Sequence, residues 1–526
     1  MPAARAFERI LSSPRVIWFV TALWGALLVG ASLLWPMTYG YDEPQHVDMA
    51  YVYSAHPFTF YGPGELAQTR ASVAAQLTEP GYPPRHPFGE LPTTGRDHRP
   101  SFAELGGHTP STNPQPNQMI QHPPLYYWAE AVVLRLPGVS HLAFDVQIWL
   151  MRLLSVLFVL PVPGLCWLAA RRLSGSEGAA LLASLVPVTM PNLARDGSSV
   201  TNDSLLIGAC SVLLYLLTRV VTGDLSRRTA VGVAVSLAVA MWTKGFALIL
   251  TLVVLAAYLV GSRDRASWRP RLEGIGIAAI GGAVGAVWWL RNLIDYGHLQ
   301  IDGLGSYERV ARTAADNKGS LDPFVRFYVP NFIHRLWGGI GLPDSPGVGV
   351  VAEYGWFAVA VAGFGVALVV ADRDGRRLRT LVLGSAVLLT AVAVAVSSFA
   401  TFRHYSDQVR GVQGRYLYHT VVVIAALAAV GWWRVLPRRA RPFAIGGLFC
   451  AAVVTQALAW LAVLRTWYRP AGEGIGAAVR GVLRWSPVPV PVTVTFVFVL
   501  PVLATLAAAA VIGRDLVSGR DQGAVT

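Results

Sequence analysis

At 526 residues, 54% hydrophobic and only 14% charged, with mean hydropathy +0.47, the chain excludes an ordinary soluble domain, in which about 25% of residues are charged. Apolar runs long enough to cross about 30 Å of hydrocarbon recur along its length, so it reads as an all-α polytopic membrane protein. The net charge of +13 sits in short arginine clusters between apolar runs, the pattern that orients spans and not a stripe that binds nucleic acid.

In chain order, Arg5, Arg9 and Arg15 place the N-terminus in the cytoplasm ahead of a first span at 16–35. That run lacks a small-residue cleavage site and is read as retained. A polar first extracytoplasmic loop follows at 37–123, with a proline-dense stretch from Pro80 to Pro124 that reads as an ordered lid. The segment "PPLYYWAEAVVLRL" is too short for a span and carries Glu130 and Arg135, so an interfacial helix is expected over 124–136. Arg171 and Arg172 then close the second span, 146–170, on the inside. Further spans are expected at 178–190, 204–220, 230–242, 246–260 and 275–290, and the basic "SRDRASWRPR" after the fourth of these runs is cytoplasmic. A second large external loop covers 291–350, and basic clusters at 373–379, 434–441 and from Arg514 complete the alternation. The sum is a bundle of about twelve spans with both termini inside. Residues 1–430 read as one module and 431–526 as additional spans. Cys166, Cys210 and Cys450 lie in apolar runs and read as buried packing residues, without zinc or disulfide spacing.

This topology sends the unusual polar clusters to one face: "YDEPQH", "QHPPLYYW", "RDGSSVTNDS", "WTKG", "WWLRN" and "RGVQGRYLYH". Polar residues belong at helix ends, and any one cluster has that simpler reading; six facing one compartment read as an assembled site. A carboxylate among them, Asp42 or Glu43, can deprotonate a hydroxyl nucleophile. Arg195, Lys244, Arg291, Arg415 and His122 can stabilise a phosphate leaving group. Tyr126, Tyr127 and Trp128, and Tyr416 beside Arg415, offer faces for a sugar or a lipid chain. For Lys244 and Arg291 an interface anchor is the alternative, for Asp203 a helix N-terminal charge, and for His122 a cap on the interfacial helix.

The order "DEPQH", then "HPPLYYW" closing a long first loop, then "ND" heading a span, resembles the GT-C membrane glycosyltransferases, in the branch of protein O-mannosyltransferases and aminoarabinose transferases. "TKG", "WWLRN" and "GVQGRYL" are similar to bacterial multi-span proteins described as probable glycosyltransferases. The resemblance covers roughly residues 15–430. It implies a GT-C-like bundle whose first loop carries interfacial helices, and a polyprenyl-phosphate-linked sugar as donor. It also implies Asp42 as general base, Glu43 as its neighbour orienting the acceptor, His122 near the lipid phosphate and Asp203 on acceptor or sugar. Some relatives bind a divalent metal here, for which Asp42, Glu43 and His46 are ligand candidates. The acceptor expected is an envelope glycan or lipid, at the extracytoplasmic face of the bacterial inner membrane. Two other readings stay open: a flippase or transporter of lipid-linked sugars, and a non-catalytic subunit that binds them.

Overall fold

The computed structural model describes residues 15–78, 95–112, 116–261, 268–303, 321–339, 347–370, 376–404, 412–470 and 472–523. The heart of the proline-dense stretch in the first loop lies outside them. The helices, in chain order, are α1 (Arg15–Leu34), α2 (Glu43–Ala55), α3 (Arg70–Thr78), α4 (Leu125–Leu134), α5 (Phe144–Val159), α6 (Val162–Ser174), α7 (Glu177–Leu185), α8 (Pro191–Gly197), α9 (Asn202–Val221) and α10 (Arg227–Met241). They continue as α11 (Phe246–Val260), α12 (Trp268–Tyr296), α13 (Leu321–Trp337), α14 (Val350–Val369), α15 (Arg376–His404), α16 (Val421–Val435), α17 (Arg441–Val463), α18 (Ile475–Trp485), α19 (Val490–Val494) and α20 (Leu500–Gly523).

Nine helical segments among the described residues are long and apolar enough to cross a bilayer. The shorter α7, α10 and α11 occupy three further positions where the sequence places spans. Apolar side chains on the outer faces of α12 and α14, among them Ile280, Val287 and Val351, stay exposed, as a lipid-facing surface requires. The chain is a multi-pass helical membrane protein.

The inside of the bundle is built around α16. Its residues Val421 to Gly431 are all buried, enclosed by α6, α7, α14 and α15. Near the N-terminal end of the chain, Trp24 of α1 donates through Nε1 to the Val159 carbonyl at 3.2 Å. The last helices belong to the same body: α20 packs along α1, and Arg96 of the first loop donates to the Ser486 and Leu483 carbonyls at 2.9 and 3.0 Å. Of the cysteines, Cys166 and Cys210 are buried as expected, whereas Cys450 is exposed on the outer face of α17.

Where a helix is expected over 124–136 stands α4, a ten-residue helix that packs against α2 and α5. The first loop is held by Asp48 of α2. Buried, it accepts from Thr69 N, Thr69 Oγ1 and Asn117 Nδ2 at 2.9, 2.6 and 2.7 Å. Asn117 in turn caps the turn Gln118–Gln121, and His122 ends that turn. One buried carboxylate thus sets where His122 enters the site.

Candidate active site

Four segments meet between the C-terminal end of α1 and the start of α9. The first is the turn Trp35–Asp42. Here Asp42 adopts φ 54° and ψ 20°, a left-handed conformation that Asp tolerates better than most side chains and that concentrates at functional positions. From there α2 begins, with Pro44 in its first turn. The second and third segments are α8 with the residues that cap α9, and Lys244 between α10 and α11.

The fourth is the turn Gly414–Thr420 leading into α16. A side chain on Gly414 would sit 2.3 Å from the Phe332 carbonyl oxygen and 2.4 Å from Leu336 N, so only glycine lets this strand of chain cross α13. Tyr418 locks the crossing by donating to the Leu336 carbonyl at 2.8 Å.

Arg415 emerges from this crossing into three carboxylates. Its Nη2 lies 3.3 Å from Asp42 Oδ2, and its Nη1 lies 3.4 Å from Asp196 Oδ1 and 3.3 Å from Asp203 Oδ2. All three contacts are longer than the 2.7–2.9 Å typical of a committed charge-assisted bond. Lys244 makes such a bond, at 2.6 Å, to Asp203 Oδ1. Arg415, Asp196, Asp203 and Lys244 are buried, while the Asp42 side chain is 46% exposed. Asp42 is therefore the carboxylate of the cluster open to an incoming molecule.

Several buried polar atoms here lack a hydrogen-bond partner: Arg415 Nε, Asp196 Oδ2, Asn202 Oδ1 and His122 Nδ1. Unsatisfied buried groups are costly, and a cluster of them marks a place built for something else to bind. His122 is driven down to about 3 by burial first and then by the charges of Lys244 and Arg415. It is a neutral imidazole at any ordinary pH. Burial raises Asp196 to about 7, with the Asp203 charge adding to it and Arg415, Lys244 and Arg195 opposing.

Tyr41 organises two of the cations. The guanidinium carbons of Arg195 and Arg415 each lie 4.1 Å from its ring centroid, within cation–π range. Arg195 also donates to the Tyr39 carbonyl at 2.6 Å. Tyr416 sits beside both Arg415 and Lys244, at 5.5 and 5.4 Å from its ring centroid.

Asp42, His122, Arg195, Asp203, Lys244, Arg415 and Tyr416, scattered in sequence, thus come to one place. The others do not. Glu43, expected to face the acceptor, is fully buried and accepts from Arg152 (2.8 and 2.6 Å), Gly40 N (2.9 Å) and Val200 N (2.8 Å). It is a structural clamp behind Asp42. Tyr126 is completely buried, with its hydroxyl 2.9 Å from Ser155 Oγ; it packs the core instead of lining a cavity. Arg291 pairs with Asp295 at 3.2 Å and lies over Phe60 and Tyr296, away from the Arg415 cluster. The candidate metal ligands do not form a set either. Asp42 faces Arg415, Glu43 faces Arg152, and His46 Nδ1 sits 2.9 Å from the Tyr127 hydroxyl. No group of three potential ligands converges among the described residues, so these side chains do not fit a divalent ion.

Sequence reasoning missed Asp196, although it stands in the "RDGSSVTNDS" cluster. It also missed Arg152, a lone arginine in the apolar run "QIWLMRLLSVLFV". A charge inside a span demands a partner, and that signal was available.

A family model described as "Predicted membrane protein (DUF2142)" matches residues 23–424. The chain belongs to that family. The match runs from α1 into α16 and takes in every side chain around Arg415. No curated protein matches the chain in sequence. Among solved structures, the chain is similar to ArnT from Cupriavidus metallidurans bound to undecaprenyl phosphate, at 17% identity and a TM-score of 0.48, over 98% of this chain and 79% of that one. It is also similar to the Archaeoglobus fulgidus oligosaccharyltransferase, at 13% identity and a TM-score of 0.44, over 87% of this chain and 57% of that one. A third is the arabinosyltransferase EmbB from Mycobacterium smegmatis, at 14% identity and a TM-score of 0.40, over 96% of this chain and 42% of that one.

Proposed function

We propose that this protein is a membrane glycosyltransferase that moves a sugar from a polyprenyl-phosphate donor to a hydroxyl of an extracytoplasmic envelope glycan or lipid. The observation that carries the reading is Arg415: a buried cation shared loosely by three carboxylates, with its Nε lacking a hydrogen-bond partner. Such a group is poised to take a further anion. The phosphate of a lipid-linked sugar is an anion whose tail belongs among the spans and whose sugar belongs at their outer end.

In this reading Asp42 accepts the proton of the acceptor hydroxyl as its oxygen attacks the anomeric carbon of the donor sugar. The bond from that carbon to the phosphate oxygen breaks, and the departing lipid phosphate gains negative charge. Arg415 meets that charge in a site from which water is largely excluded. Lys244 holds Asp203 and so leaves Arg415 less neutralised than three carboxylates alone would make it. Neutral His122 adds a hydrogen bond without adding charge. Glu43, Arg152 and Tyr41 position Asp42 and the two arginines. The motifs "DEPQH" and "HPPLYYW" support the same assignment by their resemblance to GT-C enzymes. The arginine clusters support a site on the extracytoplasmic side of a bacterial inner membrane, with both termini in the cytoplasm.

The test is sugar transfer by full-length protein in nanodiscs, from a panel of polyprenyl-phosphate sugars to envelope glycan and glycolipid acceptors, with Asp42→Asn beside the wild type. Transfer by the wild type alone, with unchanged melting of the variant, is the expected result. Equal transfer by both removes Asp42 as the base. Donor movement across vesicles without transfer replaces the enzyme reading with a flippase.

A further inference from the structure

A second cavity lies in the first loop, away from the Arg415 cluster. It measures about 470 Å³ and is bounded by the C-terminal part of α2, the turn Phe102–Thr109, and the residues around Leu134, Ser140 and Gln147. That volume falls within the roughly 300–1,000 Å³ of small-molecule sites.

Its walls combine two kinds of surface. One is aromatic: the His108 ring stacks on Tyr51 with centroids 3.9 Å apart and planes 11° from parallel, and Phe102 packs against Tyr51 at 4.9 Å. Tyr51 is nearly buried, while His108 stays exposed. The other is neutral and polar: Ser54, Thr109, Ser140 and Gln147 bring hydroxyls and an amide. Gln147 is 2% exposed and donates from Nε2 to the Leu142 carbonyl at 2.8 Å, which fixes the amide in the wall. Gly106 and Gly107, at φ +114° and +60°, form the turn that brings His108 back over α2.

Among the described residues no carboxylate, lysine or arginine lines the cavity, and burial together with the charge of His56 lowers the His108 pKa. The lining itself offers no full charge to pair with a charged ligand, and Arg135 beside it is turned to the Ser54 carbonyl, to which its Nε donates at 2.7 Å. A hydrocarbon chain would make no use of the hydroxyls and the amide, which have acceptor capacity left after Ser54 Oγ and Gln147 Nε2 donate to the Tyr51 and Leu142 carbonyls. A sugar ring matches both surfaces, with an apolar C–H face for the ring stack and a rim of hydroxyls for the amide and hydroxyl groups.

The position adds a geometric argument. Asp42 caps the N-terminus of α2, and Tyr51 and Ser54 follow on the same helix nine and twelve residues later. At a rise of 1.5 Å per residue they stand about 14 and 18 Å from Asp42 along the axis, the reach of a short oligosaccharide.

We infer that the cavity beneath the Tyr51–His108 stack binds a neutral saccharide, and that α2 spaces this pocket from Asp42 so that it holds remote units of the acceptor glycan. The saccharide site stands on the cavity itself; its assignment to the acceptor rests on the transferase reading.

The test is titration calorimetry and saturation-transfer NMR on the full-length protein in nanodiscs. The probes are neutral di- to hexasaccharides of mannose, glucose, galactose and arabinose. His108→Ala removes the exposed ring, and Ser140→Trp fills the cavity from an exposed position. Arg326→Ala, at an exposed position of α13 outside both sites, serves as the control. The expected result is that at least one series binds the wild type and Arg326→Ala alike, and that both pocket variants weaken it about tenfold or more while melting unchanged. Binding by none of the series overturns the proposal, as does binding equally strong in both variants. Pocket binding without sugar transfer by the wild type would leave this site standing and remove the transferase reading. Transfer without pocket binding would do the reverse.

Discussion

Arg152 and Glu43 join a membrane span to the first loop through two hydrogen bonds of 2.8 and 2.6 Å, with both side chains fully buried. The same guanidinium donates to the Ser32, Trp35 and Pro36 carbonyls, each at 2.8 Å. It thereby satisfies the C-terminal end of α1, whose last carbonyls have no helical partner. The pair therefore fixes three things at once: the end of α1, the start of α2 and the place of Asp42 between them.

Breaking that pair leaves an uncompensated buried charge. Glu43→Gln or Arg152→Met alone is expected to destabilise the protein by about 3–5 kcal/mol. The double variant should lose clearly less than the sum of the two. Thermal melting of the four proteins in one detergent measures this. Additive losses would show that the two side chains do not depend on each other.

Arg415→Lys keeps the charge and removes the planar fork that reaches three carboxylates. Transfer is expected to fall about 100-fold, in the range seen when a donor to a developing oxyanion is lost, mostly in kcat. Steady-state kinetics with a polyprenyl-phosphate sugar read this out. A variant with near-normal kcat would take Arg415 out of the leaving-group role.

Asp196 provides a pH signature. Its carboxyl sits at about 7, so it is largely protonated below neutrality and ionises as pH rises through 7. Ionised, it competes with the donor phosphate for Arg415. KM for the donor is expected to rise above pH 7 in the wild type and to stay flat over the same range in Asp196→Asn. A wild-type KM that falls across pH 7 would contradict this sign.

Asp48 should make stability pH-dependent in the same direction. Burial raises its carboxyl from 3.8 to about 6, against the hydrogen bonds from Thr69 and Asn117. A raised carboxyl binds its proton more tightly in the folded state. Its contribution is therefore complete below about pH 4 and is lost as pH rises through about 6, by on the order of 3 kcal/mol. Asp48→Asn should remove this share of the decline. Melting temperatures between pH 4 and 8 give the comparison, with the wild type falling more steeply than the variant, in which the raised carboxyl of Asp196 still contributes a decline.

The spans were legible because the property that makes them is local. A run such as 16–35 must leave water whatever the rest of the chain does, and α1 ends one residue from that boundary. The Gly178–Met190 and Ala230–Trp242 runs were found the same way, although α7 and α10 are shorter than a full span. The short helix α4 was legible as too short for a span, from its length together with Glu130 and Arg135.

The site was only partly so. Asp42, Asp203, Lys244 and Arg415 could be nominated as polar residues at helix ends, and the structure brings them to one place. Glu43 stands one residue from Asp42 yet turns into the protein toward Arg152, because the left-handed conformation at Asp42 sends the two side chains to different surroundings. Tyr126 and Tyr127 looked like a sugar platform, but as part of α4 they pack into the core between α2 and α5.

By itself, then, the sequence determined a polytopic helical protein whose chemistry-bearing residues gather at one end of the spans. Hydrophobicity and charge act residue by residue against a membrane whose thickness is set in advance. Which residues share a site was decided by tertiary structure alone. The approach of Arg415 to Asp42 depends on Gly414 crossing α13 and on Arg152 holding the end of α1, contacts between segments that lie far apart in sequence.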